Sequence, residues 1–165
     1  CRIDRVDRYI GDGTFPRIRI IDYKTGSDDT SVVNLEQMFH DFKKKAFMQV
    51  MLYAQAYGQF NYCNEPIQPM VYSIRSLMIS PITPLKGPAP SVGEDVDKSV
   101  LKRPATGRGS WNILDYRDYV TEFNDMLLPY LEELFNPDEP FRCAENNDAC
   151  KYCAFTAICQ RDNKF

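Results

Sequence analysis

Residues 21–26 read IDYKTG and close an isoleucine-rich segment that begins at residue 15. This segment predicts a β-strand over residues 15–23. Asp22 and Lys24 are two positions apart, so their side chains point to the same face of that strand. A carboxylate next to an ammonium is most often an ordinary surface ion pair, and this spacing alone therefore assigns no function.

Asp4 lies on a second predicted strand just upstream. Residues 2–10 read RIDRVDRYI, which alternates polar and apolar side chains, and Asp12-Gly13 is typical of a hairpin turn between the two strands. If the strands pair, Asp4 and Asp22 converge. Two carboxylates with a lysine beside them suit Mg²⁺ or Mn²⁺, which bind hard oxygen ligands and can activate water at a phosphate.

The remaining pattern predicts an α/β fold. Apolar residues at helical spacing cover residues 35–60 and 113–135, and residues 68–78 form a third predicted strand. Residues 81–110 are rich in proline and glycine and predict a long flexible loop or a disordered insertion. The order strand, strand, helix, strand, helix indicates a small sheet with helices packed on it.

Three segments follow one another along the chain: RIDRVDR at residues 2–8, IDYKTG at residues 21–26, and Gln49-x-x-x-Tyr53. This series resembles the RecB-like branch of the PD-(D/E)XK nuclease superfamily. The resemblance implies a restriction-endonuclease-like α/β core, with a small mixed sheet flanked by helices. Gln49 and Tyr53 are one helical turn apart and share a face, which in the resembling family borders the active site.

The same resemblance assigns roles to the residues of the site. Asp4, Asp22 and the carbonyl group of Tyr23 would hold a catalytic Mg²⁺ or Mn²⁺, and Lys24 would be the catalytic lysine. The family usually carries a further helix upstream of the first motif. We therefore expect the chain to be a C-terminal fragment of a longer protein, with little cleavage activity on its own.

Four of the six cysteines stand at the C-terminal end, and their clustering favours a metal or cluster site in a reducing compartment such as the cytoplasm. The C-x2-C-x5-C spacing resembles the C-terminal segment of AddB-type and CRISPR-adaptation nucleases of the same superfamily. That resemblance implies a [4Fe–4S] cluster; Zn²⁺, or reduced cysteines without any metal, are the alternatives. We expect a nuclease core at residues 1–142 and a cysteine-rich tail of the same domain at residues 143–165. The candidate ligands are Cys143, Cys150, Cys153 and Cys159. Cys143 is the least certain of the four, and Cys1 and Cys63 are weaker candidates for its place.

Composition excludes several classes of protein. The chain has 165 residues, 44% of them hydrophobic and 26% charged, which is ordinary for a globular protein. Its net charge of −3 argues against a protein that simply coats nucleic acid. No apolar run approaches the roughly 20 residues of a membrane helix. The phosphate-binding G-x-x-x-x-G-K-[ST] loop is absent from the sequence, so ATP-driven unwinding would reside in another domain or subunit.

Three functions follow from these observations. The first is a Mg²⁺-dependent deoxyribonuclease, expected to be an exonuclease, that forms a module of a larger helicase–nuclease of DNA repair or recombination. The second is a catalytically inactive nuclease fold that binds DNA or acts as a scaffold. The third is a small zinc-binding interaction domain, which the combination of Asp4, Asp22, Lys24, Gln49 and Tyr53 disfavours.

Overall fold

The structure, a computed structural model, forms two compact units, Cys1–Leu127 and Leu128–Phe165. It describes residues 2–11, 15–26, 31–74, 82–87, 111–140, 142, 150 and 153–160.

A mixed sheet of four described strands organises the first unit: β1 (Arg5–Tyr9), β2 (Arg17–Lys24), β3 (Ile67–Ser73) and β4 (Ile82–Pro84), in the order β1-β2-β3-β4. Strand β1 runs antiparallel to β2, β2 parallel to β3, and β3 antiparallel to β4. The parallel pair needs a long crossover between its strands, and a helical segment supplies it. This mixed sheet with helices confirms the predicted α/β, restriction-endonuclease-like fold class.

Three α-helices accompany the described strands: α1 (Gln37–His40), α2 (Lys45–Asn61) and α3 (Val120–Phe135). Single 3₁₀ turns at Phe42–Lys44 and Tyr116–Asp118 precede α2 and α3. The helix predicted over residues 35–60 is thus divided in two, and the long second part carries the predicted apolar face. A short two-stranded sheet, β5 (Lys86–Gly87) and β6 (Trp111–Asn112), completes the regular structure of the first unit.

The core lies between helix α2 and one face of the sheet. Alternate residues of β2 point to this face, so Ile18 and Ile20 pack in the core and Asp22 continues the same row. The helix contributes five buried side chains at three- and four-residue spacing: Ala46, Phe47, Val50, Met51 and Ala54.

Gly58 allows α2 to approach the 3₁₀ turn before α3 closely. A Cβ atom at this position would lie 2.3 Å from the hydroxyl oxygen of Tyr116. Tyr116 is itself buried in the core. The glycine is therefore required for close packing here, although glycine inside a helix costs about 1 kcal/mol relative to alanine.

The predicted loop at residues 81–110 is wrong at its beginning. Residues 82–84 pair with β3, and residues 86–87 pair with β6. Strand β3 has an edge with unpaired backbone groups, to which another strand can pair. Proline is tolerated in such an edge strand, so residues 82–84 pair with β3 although the composition of the segment is typical of a loop. Residues 88–110 lie outside the described residues, as do Asp12 and Gly13 of the predicted turn.

The second unit contains the end of α3 and residues 153–160, which form turns closed by backbone hydrogen bonds. Along α3, Phe123 is buried, whereas Leu128, Leu134 and Phe135 are exposed. In the part of the chain that the structure describes, no helix is long and apolar enough to cross a membrane.

Candidate active site

Asp22 is a buried carboxylate at the end of β2, with only 3% of its surface exposed. Its Oδ2 atom lies 2.7 Å from Nζ of Lys24, two residues along the same face. Burying a carboxylate costs several kcal/mol unless an opposite charge or hydrogen bonds compensate. The Lys24 ammonium provides that compensation, so the ion pair predicted from the spacing lies inside the fold and not on an open surface.

Gln49 joins this ion pair to helix α2. The Lys24 ammonium donates a hydrogen bond to Gln49 Oε1 at 2.7 Å. Gln49 Nε2 donates to Asp22 Oδ1 at 3.2 Å and to the hydroxyl oxygen of Tyr53 at 2.7 Å. An ammonium can only donate and a carboxylate can only accept, so the two partners fix the orientation of the amide. The residues that were predicted to border the site are in direct contact with it.

Asp4 reaches the same end of β2 from the neighbouring strand. Arg5 pairs with Ile21 in the antiparallel register, and one further step brings Asp4 opposite Asp22. Asp4 Oδ2 accepts a hydrogen bond from the backbone N–H of Tyr23 at 2.9 Å. Asp4 is exposed to solvent, whereas Asp22 is buried. The structure therefore brings the six predicted site residues together at one end of the sheet.

The oxygen atoms at this end suit an open site for a divalent cation. Mg²⁺ commonly uses one or two carboxylates and completes its coordination with water and phosphate oxygens. Among the described residues, Asp22 Oδ2 is buried and accepts no hydrogen bond of regular geometry, although the Lys24 ammonium lies close to it. Within the same part of the chain, no group of three or more His, Cys, Asp or Glu residues is placed to hold a metal ion. The Asp4 and Asp22 carboxylates are thus of the ligand type that Mg²⁺ or Mn²⁺ takes together with solvent.

The opposite face of the sheet holds an ion-pair cluster that the sequence did not predict, although the family resemblance implied a supporting role for its central residue, Asp7. Asp7 and Arg19 are register partners on β1 and β2. Arg19 binds the Asp7 carboxylate with two hydrogen bonds, 2.6 and 2.9 Å long, and Arg5 lies 2.7 Å from the same carboxylate. The hydrogen bonds from Arg19 lower the pKa of Asp7, against the opposing effect of burial. The cluster joins β1 to β2 at a position three residues from Asp4 in the sequence. Its prediction requires the pairing register of the two strands, which the sequence left open.

The cysteines of the second unit are only partly described. Cys150, Cys153 and Cys159 form no disulfide bond within the described part of the chain, and Cys143 lies outside the described residues. The backbone N–H of Phe155 donates a hydrogen bond to Cys153 Sγ at 3.4 Å. The described cysteines do not form a recognisable metal group, so the [4Fe–4S] or Zn²⁺ site stays a prediction.

Comparison with known proteins adds one finding. The model of the PD-(D/E)XK nuclease superfamily matches residues 1–160. No curated protein and no solved structure gives a significant match to the chain. The match spans both the site at the end of β2 and the described cysteines of the second unit.

Proposed function

Because the chain belongs to the PD-(D/E)XK nuclease superfamily, we propose that it is a metal-dependent DNA nuclease. Members of this superfamily are typically nucleases that use divalent metals, and such a fold implies DNA binding. The network in which Gln49 contacts both Asp22 and Lys24 carries the proposal. The Asp22 carboxylate and the Lys24 ammonium lie side by side at the end of β2, and Gln49 of helix α2 holds both in place.

Asp4, Asp22 and the Tyr23 carbonyl are the proposed ligands of Mg²⁺ or Mn²⁺. A bound divalent cation supplies positive charge to phosphate oxygens and activates water for hydrolysis of the phosphodiester bond. The Tyr23 N–H holds Asp4 through its hydrogen bond at 2.9 Å, so the exposed carboxylate is oriented before any cation binds. Preorganisation of this kind lowers the cost of assembling the charged site.

Lys24 is the proposed electrostatic catalyst. Its side chain is largely buried, with 19% exposed, and its ammonium lies between Asp22 and Gln49. An ammonium in such a poorly solvated position stabilises negative charge that develops on a phosphate more effectively than one in bulk water. Gln49 is a positioning residue, and Tyr53 holds the Gln49 amide through its hydroxyl group.

The finer proposal is an exonuclease that works as a module of a larger helicase–nuclease in DNA repair or recombination. It rests on the resemblance of the three motifs to the RecB-like branch. The cytoplasm is the proposed compartment, because clustered thiols keep their reduced state there. Mg²⁺ is the proposed physiological cation, with Mn²⁺ as the substitute.

The cysteine tail is proposed to carry a structural cluster. Cys150, Cys153 and Cys159 would supply three thiolates of a [4Fe–4S] cluster, with Zn²⁺ as the alternative, and Cys143 is the candidate for the fourth. Binding of such a group would stabilise the second unit.

Degradation of linear and circular DNA, each single- and double-stranded, tests the proposed function in the longest native form of the protein. We expect loss of linear DNA with Mg²⁺ or Mn²⁺, none with EDTA, and survival of the circular DNA, which offers no ends. Cleavage of circular DNA would replace the exonuclease by an endonuclease. No cleavage of any DNA by the folded protein would favour the inactive DNA-binding or scaffold module.

A further inference from the structure

Most cations of the first unit already have partners within the protein. Ion pairs or hydrogen bonds engage the side chains of Arg5, Arg8, Arg17, Arg19, Lys24, Lys44 and Arg117. Among the cations of this unit whose side chains the structure describes, three have no such partner: Arg2, Lys43 and Lys45. All three are exposed.

Lys45 stands in line with the site along helix α2. It precedes Gln49 by four residues, and Gln49 precedes Tyr53 by four, so the three side chains share one helix face. The contact between Gln49 and Tyr53 shows that this face borders the Asp22–Lys24 pair. Neighbours at this spacing have Cβ atoms about 5–6 Å apart, which brings the flexible Lys45 side chain within reach of a ligand at the site.

Arg2 lies close to the other side of the site in sequence. It precedes Asp4 by two residues, a separation of at most about 7 Å along the chain. A guanidinium group at that distance reaches the surroundings of the Asp4 carboxylate. Arg2 lies on the segment that leads into β1 and supplies Asp4. Lys45 lies at the start of α2, the helix that supplies Gln49.

Lys45 also stands where a cation is electrostatically unfavourable. It is the first residue of α2, and the first turn of this helix contains no acidic residue. A cation at a helix N-terminus costs a few tenths to about 1 kcal/mol, because the helix dipole is positive there. An anion bound at this position is attracted both by the Lys45 ammonium and by the positive end of the helix dipole. A DNA strand needs such a contact, because the carboxylates of Asp4 and Asp22 repel its phosphates.

We propose that Lys45 and Arg2 bind the DNA phosphates that neighbour the phosphodiester at the Asp22–Lys24 pair. The inference rests on the proposed nuclease function and names the residues that hold its substrate. Both are positioning residues for the backbone, so they read no sequence. Each phosphate contact should add close to one released counterion to the binding reaction.

Salt-dependent binding of a short fluorescein-labelled DNA duplex and of the matching single strand, in EDTA, tests the proposal. Lys45→Gln should weaken binding roughly five- to tenfold near 0.1 M salt and lower the slope of log K against log[salt] by about 1. Adding Arg2→Gln should lower the slope by about 1 again. Lys43→Gln is the matched control, since it removes the same charge more than half a helical turn away and should leave the slope unchanged.

An unchanged slope in Lys45→Gln, or an equal loss in Lys43→Gln, would overturn the proposal while wild-type binding and cleavage still support the nuclease. Wild-type protein that neither binds nor cleaves DNA would overturn the nuclease function itself. Thermal melting should show no loss of stability in any variant, because all three side chains are exposed and unpaired within the described residues. Cleavage with Mn²⁺ should fall in parallel with the loss of affinity.

Discussion

Gln49 Nε2 lies 3.2 Å from Asp22 Oδ1, and this contact ties helix α2 to the end of strand β2. The same helix buries its apolar face against the sheet. The packing of the core and the geometry of the site are therefore fixed by one element. A helix that carries the hydrophobic core cannot shift without moving the amide that orients Asp22 and Lys24.

Replacing Gln49 should lower both the stability and the activity of the protein. Gln49→Leu deprives Lys24, Asp22 and Tyr53 of a hydrogen-bond partner in a half-buried place, which should cost about 1–3 kcal/mol of unfolding free energy. Cleavage should fall by at least about tenfold, because Lys24 loses its orientation. Urea unfolding and initial rates of DNA degradation measure the two effects.

Gln55→Leu is the matched control for that variant. Gln55 lies on the same helix and donates a hydrogen bond to Asn124 at 3.0 Å, away from the Asp22–Lys24 pair. This variant should lose stability but keep its cleavage rate at a temperature where it is folded. Equal loss of cleavage in both variants would show that Gln49 acts only through stability.

The Asp7–Arg19 pair should make stability depend on pH at the acid end. The pKa of Asp7 in the folded protein is lowered from its ordinary 3.8, so its contribution is fully present above that value and is lost as pH falls further. Asp7→Asn should therefore be less stable than the wild type by about 1–3 kcal/mol at pH 7. The difference should shrink below about pH 4.

Unfolding by urea at pH 7 and at pH 3 checks this dependence. Glu65→Gln is the comparison, because it breaks an exposed pair with Arg8, and exposed pairs contribute little. A deficit in Asp7→Asn that stays the same at both pH values would contradict an electrostatic role for Asp7.

Gly58→Ala should destabilise the protein, contrary to the usual effect of this substitution in a helix. Alanine is favoured over glycine by about 1 kcal/mol in a helix, but its Cβ atom would meet the Tyr116 hydroxyl at 2.3 Å. Thermal melting should therefore show a lower Tm. Adding Tyr116→Phe removes the contacting oxygen and should restore part of the loss; a Tm that rises in Gly58→Ala alone would contradict the close packing.

Cys153→Ser should lower both the stability and the metal content of the purified protein. One thiolate fewer weakens a four-ligand cluster or zinc site, whose binding energy adds to folding. Iron, sulfide and zinc analysis together with thermal melting measures the change. Cys63→Ser is the control, since Cys63 belongs to the first unit and its thiol contacts the backbone oxygen of Glu65. Equal metal content and equal Tm in wild type and Cys153→Ser would leave the tail cysteines without a structural metal.

The sequence predicted the elements of this fold that depend on local patterns. Alternation in β1 and β2 and the helical spacing of Phe47, Val50 and Met51 follow directly from side-chain periodicity. These strand and helix patterns are local because each is set by residues a few positions apart. The contact of Gln49 with Asp22 and Lys24 is not local, and only the resemblance of the motifs to one family predicted it.

Long-range pairing was beyond the reach of the sequence. Strand β4 forms because the edge of β3 is free to accept it, and residues 82–84 show no strand pattern of their own. The Asp7–Arg19 contact likewise requires the exact register of β1 on β2, and a slip of one residue would send the side chains to opposite faces. The sequence around Gly58 does not show why a glycine is needed there, because the reason is its close contact with Tyr116, which is distant in the chain.

The most direct test of the nuclease function compares Asp22→Asn with the wild type in the degradation of linear DNA with Mn²⁺. The substitution keeps the shape of the side chain but removes its charge, and cleavage should fall at least roughly a hundredfold. Asp115→Asn is the matched control, because Asp115 pairs with Arg117 away from this site and should keep its cleavage rate. Circular dichroism must show that both variants are folded. Cleavage by folded Asp22→Asn at the wild-type rate would contradict the proposed active site.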